Sequence, residues 1–346
     1  MHLRIWDTVT LLEPLFVSTD RPSQLLEAVR PLFYAEGGLG SANSRMQSDG
    51  SRAVLDVVQL DGFDAAMAQQ AWGLMNPTRS RSVSAWEFET FREADVLGQV
   101  EQWLTRWFTE LPPGQQPKSF EVVVVPADSA NRNLMVRCHG LSVGGFAGGI
   151  TATVWPSEHN LARLEASFAR AFVTAVRRHL APPQTLADHL ALEGLAAAFV
   201  AEFSESPSSW LVPFRAPEGW PQELTRVASL YSLASYEELV TNVYGTRLSG
   251  ETECVLAEPL ADDEREYARE LVLGALDETD PRAIAAFLYG DAAVVAQGHA
   301  GVGMPSFGGF EIAYRAVSTF LDTSEGGALA ALGLDSRALL ASLASS

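Results

Sequence analysis

Histidine and carboxylate side chains that share a helix face are the first place to look for chemistry in this chain. The chain has six histidines, and His189 with Glu193 is the pair at metal-ligand spacing, because residues four apart share one face of a helix. His179 ends the preceding helical segment. A metal site on His189 and Glu193 is one alternative, although two ligands without a third from the opposing helix bind a metal weakly.

The helical segment before this pair has the pattern of a zinc-protease helix without its zinc chemistry. In the HExxH pattern, two His one turn apart bind zinc, and the Glu between them acts as general base. Here Arg170 occupies the first His position, Ala171 the Glu position and Thr174 the second His position. A guanidinium does not ligate zinc and an alanine cannot take a proton, so the sequence predicts no intact zinc-protease centre.

Two predicted helices must position these side chains. The first covers 160–180, with Asn160 as its predicted cap, and Pro182-Pro183 ends it. The second covers 185–203 and carries Glu193, at the spacing from Arg170 at which a Glu on the next helix supplies a third zinc ligand. We therefore expect Arg170 and Glu193 to face each other across the two helices.

Three further segments carry a resemblance to a known family. They are EGLA at Glu193–Ala196, FLYGD at Phe287–Asp291 and MPSFGGFEIAY at Met304–Tyr314. Together with the altered HExxH turn they resemble the predicted zinc-dependent protease family known as domain of unknown function 2268, a gluzincin-like family in which an EGLA helix follows the HExxH helix. The resemblance covers the second half to two-thirds of the chain, and it implies a zincin-like fold and a zinc peptidase ancestry.

The departures from that family define a degenerate site. Both His, the catalytic Glu and the first Tyr of the late segment are absent, whereas Glu193 and Tyr314 are kept. The degenerate site positions are Arg170, Ala171, Thr174, Glu193, Phe310 and Tyr314.

Glu193 without a metal would be a costly buried carboxylate if it still pointed between the helices. We predict that Arg170 pairs with Glu193 and puts a positive charge about where the zinc would lie, with Thr174 donating a further hydrogen bond. In the alternative, Arg170 extends into solvent along the helix and Glu193 is hydrated.

The predicted fold class is α+β. The resemblance implies a zincin-like metalloprotease fold with a small mixed sheet, two site helices and a helical C-terminal subdomain, preceded by an N-terminal α/β portion. Strands are predicted at Phe120–Val125 and Gly149–Trp155, and the glycine-rich segment Gly140–Gly149 between them is predicted to form a turn or bulged hairpin. The predicted C-terminal helices are Trp220–Leu233, Tyr236–Tyr244, Asp262–Leu276, Pro281–Tyr289, Phe310–Leu321 and Ser336–Leu343.

The predicted domain boundary lies in the segment Pro112–Pro117, which interrupts the helical pattern. It separates an N-terminal α/β portion, 1–115, from a zincin-like portion, 116–346. The elements predicted in the first portion are a strand at 3–6, a helix start at 9–12, helices at Ser23–Phe33, Asp64–Leu74 and Asp95–Leu111, and a strand at Arg52–Leu60. The aromatic stripe of the 95–111 helix is predicted to belong to the core.

Composition limits the possible partners. The chain has 346 residues, 47% of them hydrophobic, and a net charge of -19, which argues against nucleic acid or an anionic membrane as partner. No segment reaches the ~18 apolar residues of a membrane span. The two cysteines, Cys138 and Cys254, are too few for a disulfide framework, so we expect a cytoplasmic protein. The oligomeric state stays open.

Two functions fit the sequence. The first is a pseudoprotease that binds a peptide, protein or other ligand in the remnant cleft, or acts as a structural or regulatory partner, with no cofactor. The second is a metal-dependent peptidase or hydrolase that uses zinc through non-standard residues such as His189 and Glu193. Nucleophilic catalysis is disfavoured because the chain has no Gly-x-Ser-x-Gly elbow.

Overall fold

The structure is a computed structural model, and it describes residues 2–10, 13, 81–203, 211, 217–244, 258–295, 298–324 and 326–344. The elements predicted at Ser23–Phe33, Arg52–Leu60 and Asp64–Leu74 lie outside these residues. The described residues form a mixed α+β structure, in which helices surround a small sheet.

The sheet has four strands in the described part of the chain. They are β1 His2–Trp6, β2 Ser119–Pro126, β3 Leu141–Phe146 and β4 Gly149–Val154, in the spatial order β1-β2-β4-β3. β1, β2 and β4 run parallel, and β3 runs antiparallel to β4 at the edge. β2 is an apolar run and is mostly buried, as is usual for a strand inside a parallel sheet. The strands predicted at 3–6, Phe120–Val125 and Gly149–Trp155 are confirmed. The glycine-rich segment, predicted as a turn or bulged hairpin, contributes strand β3 to a hairpin without a bulge.

Residues 8–10 are helical, and twelve further α-helices have both bounds among the described residues. They are α1 Arg81–Glu93, α2 Val96–Glu110, α3 Glu158–Ala162, α4 Leu164–Leu180, α5 Leu186–Ala201, α6 Trp220–Leu230, α7 Tyr236–Tyr244, α8 Asp262–Leu273, α9 Pro281–Tyr289, α10 Asp291–Val295, α11 Gly308–Asp322 and α12 Ser336–Leu339. Short turns of other helix types cover Asn133–Arg137, Ala330–Gly333 and Ala341–Ala344. The predicted helical character of the C-terminal region is confirmed for these residues.

The aromatic stripe of α2 lies in the core, as predicted. The ring of Trp107 lies 5.4 Å from that of Phe172 on α4 and 5.7 Å from that of Phe199 on α5. The ring of Phe108 lies 5.0 Å from that of Phe120 on β2. Such pairs add ~0.5–1.5 kcal/mol beyond the burial of their area, so α2 fixes both site helices against the sheet.

The two predicted portions of the chain contribute to the same sheet. β1 comes from the N-terminal portion, and it pairs in parallel with β2, which follows the segment Pro112–Pro117. That segment connects α2 to β2. The division at 115 and the independent folding of 1–115 stay predictions, which limited proteolysis would test.

Two glycines allow the backbones around α4 and α5 to approach closely. A Cβ atom on Gly145 of β3 would overlap the carbonyl oxygen of Ala171 on α4. A Cβ atom on Gly194 of α5 would lie 2.5 Å from the carbonyl oxygen of Ala313 on α11. The edge strand therefore lies against α4, and α11 lies against α5, so these elements enclose the predicted site.

Candidate functional site

The start of α4 differs from the prediction that Asn160 caps a single helix. Ser157 is the cap of the short helix α3, and its hydroxyl accepts from the Asn160 main-chain N–H at 3.3 Å. The Asn160 side chain instead donates to the Trp155 carbonyl at 2.9 Å and accepts from Arg163 Nε at 3.1 Å. Asn160 is fully buried, so its amide is used to join α3 to the end of β4 rather than to cap a helix.

The start of α5 is fixed by a reciprocal cap. The Thr185 hydroxyl accepts from the Asp188 N–H at 3.3 Å, and Asp188 Oδ2 accepts from the Thr185 N–H at 3.1 Å. Such a capping box satisfies two main-chain donors at once. Asp188 Oδ1 also accepts from the Ser336 hydroxyl at 2.6 Å, which links α5 to α12.

The other site helix is fastened to the same C-terminal segment. Arg177 of α4 is buried, and its guanidinium donates to the carbonyl oxygens of Leu332 and Leu334 at 2.5 and 2.7 Å. It also donates to Ser336 Oγ at 3.1 Å. The C-terminal segment thus holds α4 and α5 in one fixed relation.

The predicted ion pair between the two helices is confirmed. Arg170 Nη2 on α4 donates to Glu193 Oε2 on α5. The exposed fraction of the side chain is 18% for Arg170 and 8% for Glu193, so the pair is largely screened from water. Arg170 therefore does not extend into solvent, and it neutralises the carboxylate between the helices.

The prediction that Thr174 donates a further hydrogen bond to the ion pair is wrong. Its hydroxyl donates to the main-chain carbonyl of Arg170 at 2.9 Å, within α4. A buried Thr in a helix has this carbonyl within reach on the preceding turn, and the local bond wins over a longer reach to the next helix. Thr174 thus lies beside the pair without supporting it directly.

Phe310 forms an aromatic wall beside the ion pair. Its ring is buried on α11, and Arg170 Cζ lies 5.4 Å from the ring centroid. The rings of Tyr289 and Phe307 lie 5.2 and 5.7 Å from that of Phe310. A guanidinium over an aromatic face gains cation–π energy, so Phe310 stabilises the charged arginine.

Tyr289 is a residue of this site that the sequence analysis did not single out. It ends α9, and its ring lies 5.2 Å from that of Phe310, the ring that contacts Arg170. Burial raises the pKa of Tyr289, the charge of Glu193 adds to the shift, and Arg170 and Arg178 oppose it. The sequence signal that points to Tyr289 is its place in the FLYGD segment, one of the segments that carry the family resemblance.

The aspartate of the FLYGD segment has a structural role. Asp291 Oδ1 accepts from the Val302 N–H at 2.7 Å, and Oδ2 accepts from the Gly303 N–H at 2.8 Å. Gly290, between Tyr289 and Asp291, has φ 86, a conformation that favours glycine. The segment therefore positions Tyr289 at the end of α9 and, through Asp291, orders the loop that leads to α11.

The remaining predicted residues lie around the pair. Ala171 is buried against β3, and Tyr314 is partly buried one helical turn after Phe310. Burial and the charge of Arg178 lower the pKa of His189 to about 4, with Asp188 opposing the shift, so His189 is neutral at pH 7. His179 is exposed at the end of α4.

The side chains at the centre of this site do not fit a zinc ion. Arg170 offers donors and no lone pair, and it occupies the Glu193 oxygen that a metal would need. The Thr174 hydroxyl is directed to a carbonyl of its own helix. In the described part of the chain, no group of three or more His, Cys, Asp or Glu side chains is placed to hold a metal ion.

Comparison with protein families gives one match. A family described as predicted Zn-dependent protease, domain of unknown function 2268, matches residues 100–218. This range includes α4, α5 and the Arg170–Glu193 pair, and it confirms the resemblance seen there. The FLYGD segment and α11 lie beyond the matched residues. The comparisons with curated proteins and with solved structures give no match. None of the described helices has the length and apolar character needed to cross a membrane.

Proposed function

We propose that this protein is a zincin-like pseudoprotease that binds an extended peptide segment of a partner protein in the remnant cleft. The observation that carries the proposal is the ion pair between Arg170 and Glu193. It lies where the resemblance places the zinc, and β3, α4 and α5 around it fall within the residues that the family model matches. Function depends on the residues of a site rather than on the fold, so the altered centre supports binding rather than zinc catalysis.

The edge strand β3 supports a peptide as ligand. The hairpin register pairs Phe146 with Gly149 across a two-residue loop, and the Trp155 N–H donates to the Gly140 carbonyl at 2.7 Å. In an antiparallel pair the main-chain bonds alternate, so this register points the N–H and C=O groups of Val143 and Gly145 away from β4.

These outward groups are available for strand addition. Within the described ranges, neither Val143 nor Gly145 makes a main-chain hydrogen bond on that side. An unpaired edge is a template for another strand, and strand addition is a common way to bind peptides. The close contact of Gly145 with α4 would bring such a peptide next to the helix that carries Arg170.

A positional-scanning library of fluorescent decapeptides tests the proposal with the full chain. The tightest pool defines a decapeptide, whose affinity is then compared between the wild type and Val143→Pro. Proline removes the outward N–H, so we expect affinity to fall roughly tenfold. Val143→Ala keeps this N–H and should bind within about twofold of the wild type. The absence of any decapeptide binding to the wild type would refute the proposal.

The second function, a metal-dependent hydrolase, is favoured by two observations. The family match is to predicted zinc-dependent proteases, and His189 is neutral on the same helix as Glu193, as a metal ligand must be. Zinc analysis of protein purified without added metal separates the two functions. Near-stoichiometric zinc that is lost in His189→Ala would favour the hydrolase, and protein without zinc would favour the pseudoprotease.

A further inference from the structure

Tyr289 packs on Phe310, the ring that contacts Arg170, and it has a fixed position. It packs edge-on against Phe307, with ring centroids 6.4 Å apart, and lies 5.2 Å from the ring of Phe310. The positive φ of Gly290 ends α9 directly after it, and the Tyr289 carbonyl accepts from the Phe307 N–H at 3.2 Å. Both its main chain and its ring are therefore held by neighbours.

Tyr289 can be reached from solvent. The residue exposes 38% of its surface, while burial of its hydroxyl raises its pKa. Its ring lies 5.2 Å from that of Phe310, and Arg170 Cζ lies 5.4 Å from the same Phe310 ring. A ligand that reaches Tyr289 from solvent therefore also comes close to the Arg170–Glu193 pair.

The hydroxyl of Tyr289 has no hydrogen-bond partner among the described residues. Tyrosine hydroxyls that are surrounded by protein usually have one, because an unmet O–H costs free energy. Its raised pKa keeps the phenol protonated at pH 7, so it can donate. The hydroxyl is therefore available to donate to an oxygen acceptor that approaches from solvent.

We infer that the Tyr289 hydroxyl is the hydrogen-bond donor that the remnant cleft presents to a main-chain carbonyl oxygen of the bound peptide. The inference rests on the proposed function, since the peptide is its ligand. An extended peptide offers a carbonyl oxygen at every residue, and β3 would satisfy only those on its own side. Tyr289 would donate to one of the carbonyl oxygens on the other side of the peptide. The donor would therefore lie on α9, because Phe310 on α11 has no hydroxyl.

A double-mutant cycle between protein and peptide tests the inference. The decapeptide is made in versions that each carry one thioamide, in which sulfur replaces a carbonyl oxygen and accepts hydrogen bonds more weakly. We expect one thioamide position to weaken binding to the wild type roughly threefold to tenfold. Tyr289→Phe should bind the parent decapeptide more weakly by a similar factor and should show no further loss at that thioamide position.

Tyr289→Phe keeps the ring contacts with Phe307 and Phe310, and an unchanged melting temperature would exclude a folding defect. Tyr267→Phe is the matched control, since Tyr267 is an exposed tyrosine on α8. It should keep both the parent affinity and the thioamide loss. Equal affinity of Tyr289→Phe and wild type, or equal thioamide losses in both, would overturn the inference and leave the proposed function intact. A wild type that binds no decapeptide would overturn both.

Discussion

Two buried glutamates on helices that pack together have different surroundings. Glu311 of α11 accepts from Leu260 N–H at 2.6 Å, from Arg265 Nε at 2.9 Å and from Arg315 Nε at 2.8 Å. Glu193 of α5 is also buried, but among the described residues it accepts only from Arg170.

The difference separates a structural carboxylate from one with spare capacity. An ionised carboxylate has about four lone-pair sites, and a buried carboxylate is stable when most of them are used. Glu311 uses both oxygens. Among the described residues, no second donor reaches Glu193. Spare acceptor capacity beside Arg170 is what a ligand site needs and what a structural site avoids.

The largest effect is expected at Glu311. Glu311→Ala leaves three donors without their acceptor, including the partly buried Arg265, and we expect a loss of ~3–5 kcal/mol in the free energy of unfolding. Urea denaturation measures it. The exposed Glu270 on α8 provides the control, because Glu270→Ala should cost less than ~0.5 kcal/mol. A cost at Glu311 below ~1 kcal/mol would contradict a structural role for this carboxylate.

A smaller effect is expected at Glu193. Glu193→Ala should cost ~2–3 kcal/mol, because Arg170 is left unpaired but is exposed enough to regain some water. The double variant Arg170→Met with Glu193→Leu replaces the pair by apolar groups and should lie within ~1 kcal/mol of the wild type. We expect this stable double variant to bind the decapeptide more weakly. A double variant with full affinity would show that the pair serves only the fold.

The smallest effect is expected in the pH dependence of a third buried glutamate, Glu223 of α6. Burial raises its pKa. Hydrogen bonds from Arg226 and Trp155 and the charge of Arg226 lower the pKa by more, so the net pKa lies below the ordinary 4.5. The unfolded chain therefore binds more protons at acid pH, and stability falls as the pH drops from about 4.5 through the lowered pKa.

Glu223→Gln removes this titration, so its stability should fall less steeply below about pH 4.5 than that of the wild type. Urea denaturation at several pH values gives both curves. If stability fell equally steeply in the two proteins, the three hydrogen bonds would not be holding Glu223 as an ion. Glu223 would then differ from both Glu311 and Glu193.

Local patterns in the sequence predicted the parts that depend on short-range order. The aromatic stripe of α2 follows the helix period, and Arg170 and Glu193 lie on helices whose spacing sets them face to face, so both the core role and the ion pair were predictable. Arg170 and Glu193 carry opposite charges in a poorly hydrated place, where pairing is the low-energy arrangement. The sequence alone was therefore sufficient to predict the ion pair.

Features that depend on long-range contacts were not predictable in this way. Asn160 has the side chain of a helix cap, but the buried carbonyl of Trp155 is the acceptor that it meets in the folded chain. Tyr289 reaches the site because α9 and α11 come together, far along the chain from α4. The glycine at 145 suggested a loop, whereas the close approach of α4 is what requires it.

The anchoring of Arg177 bears on the order in which the molecule assembles. The helices α4 and α5 are neighbours in sequence and can associate early, because closing the short loop between them costs little entropy. The acceptors of the Arg177 guanidinium arrive from a segment 155 positions away. Until that segment docks, the early helix pair contains a cation without its acceptors, which is unfavourable inside a protein. We expect the cleft to acquire its final shape only in the last steps of folding.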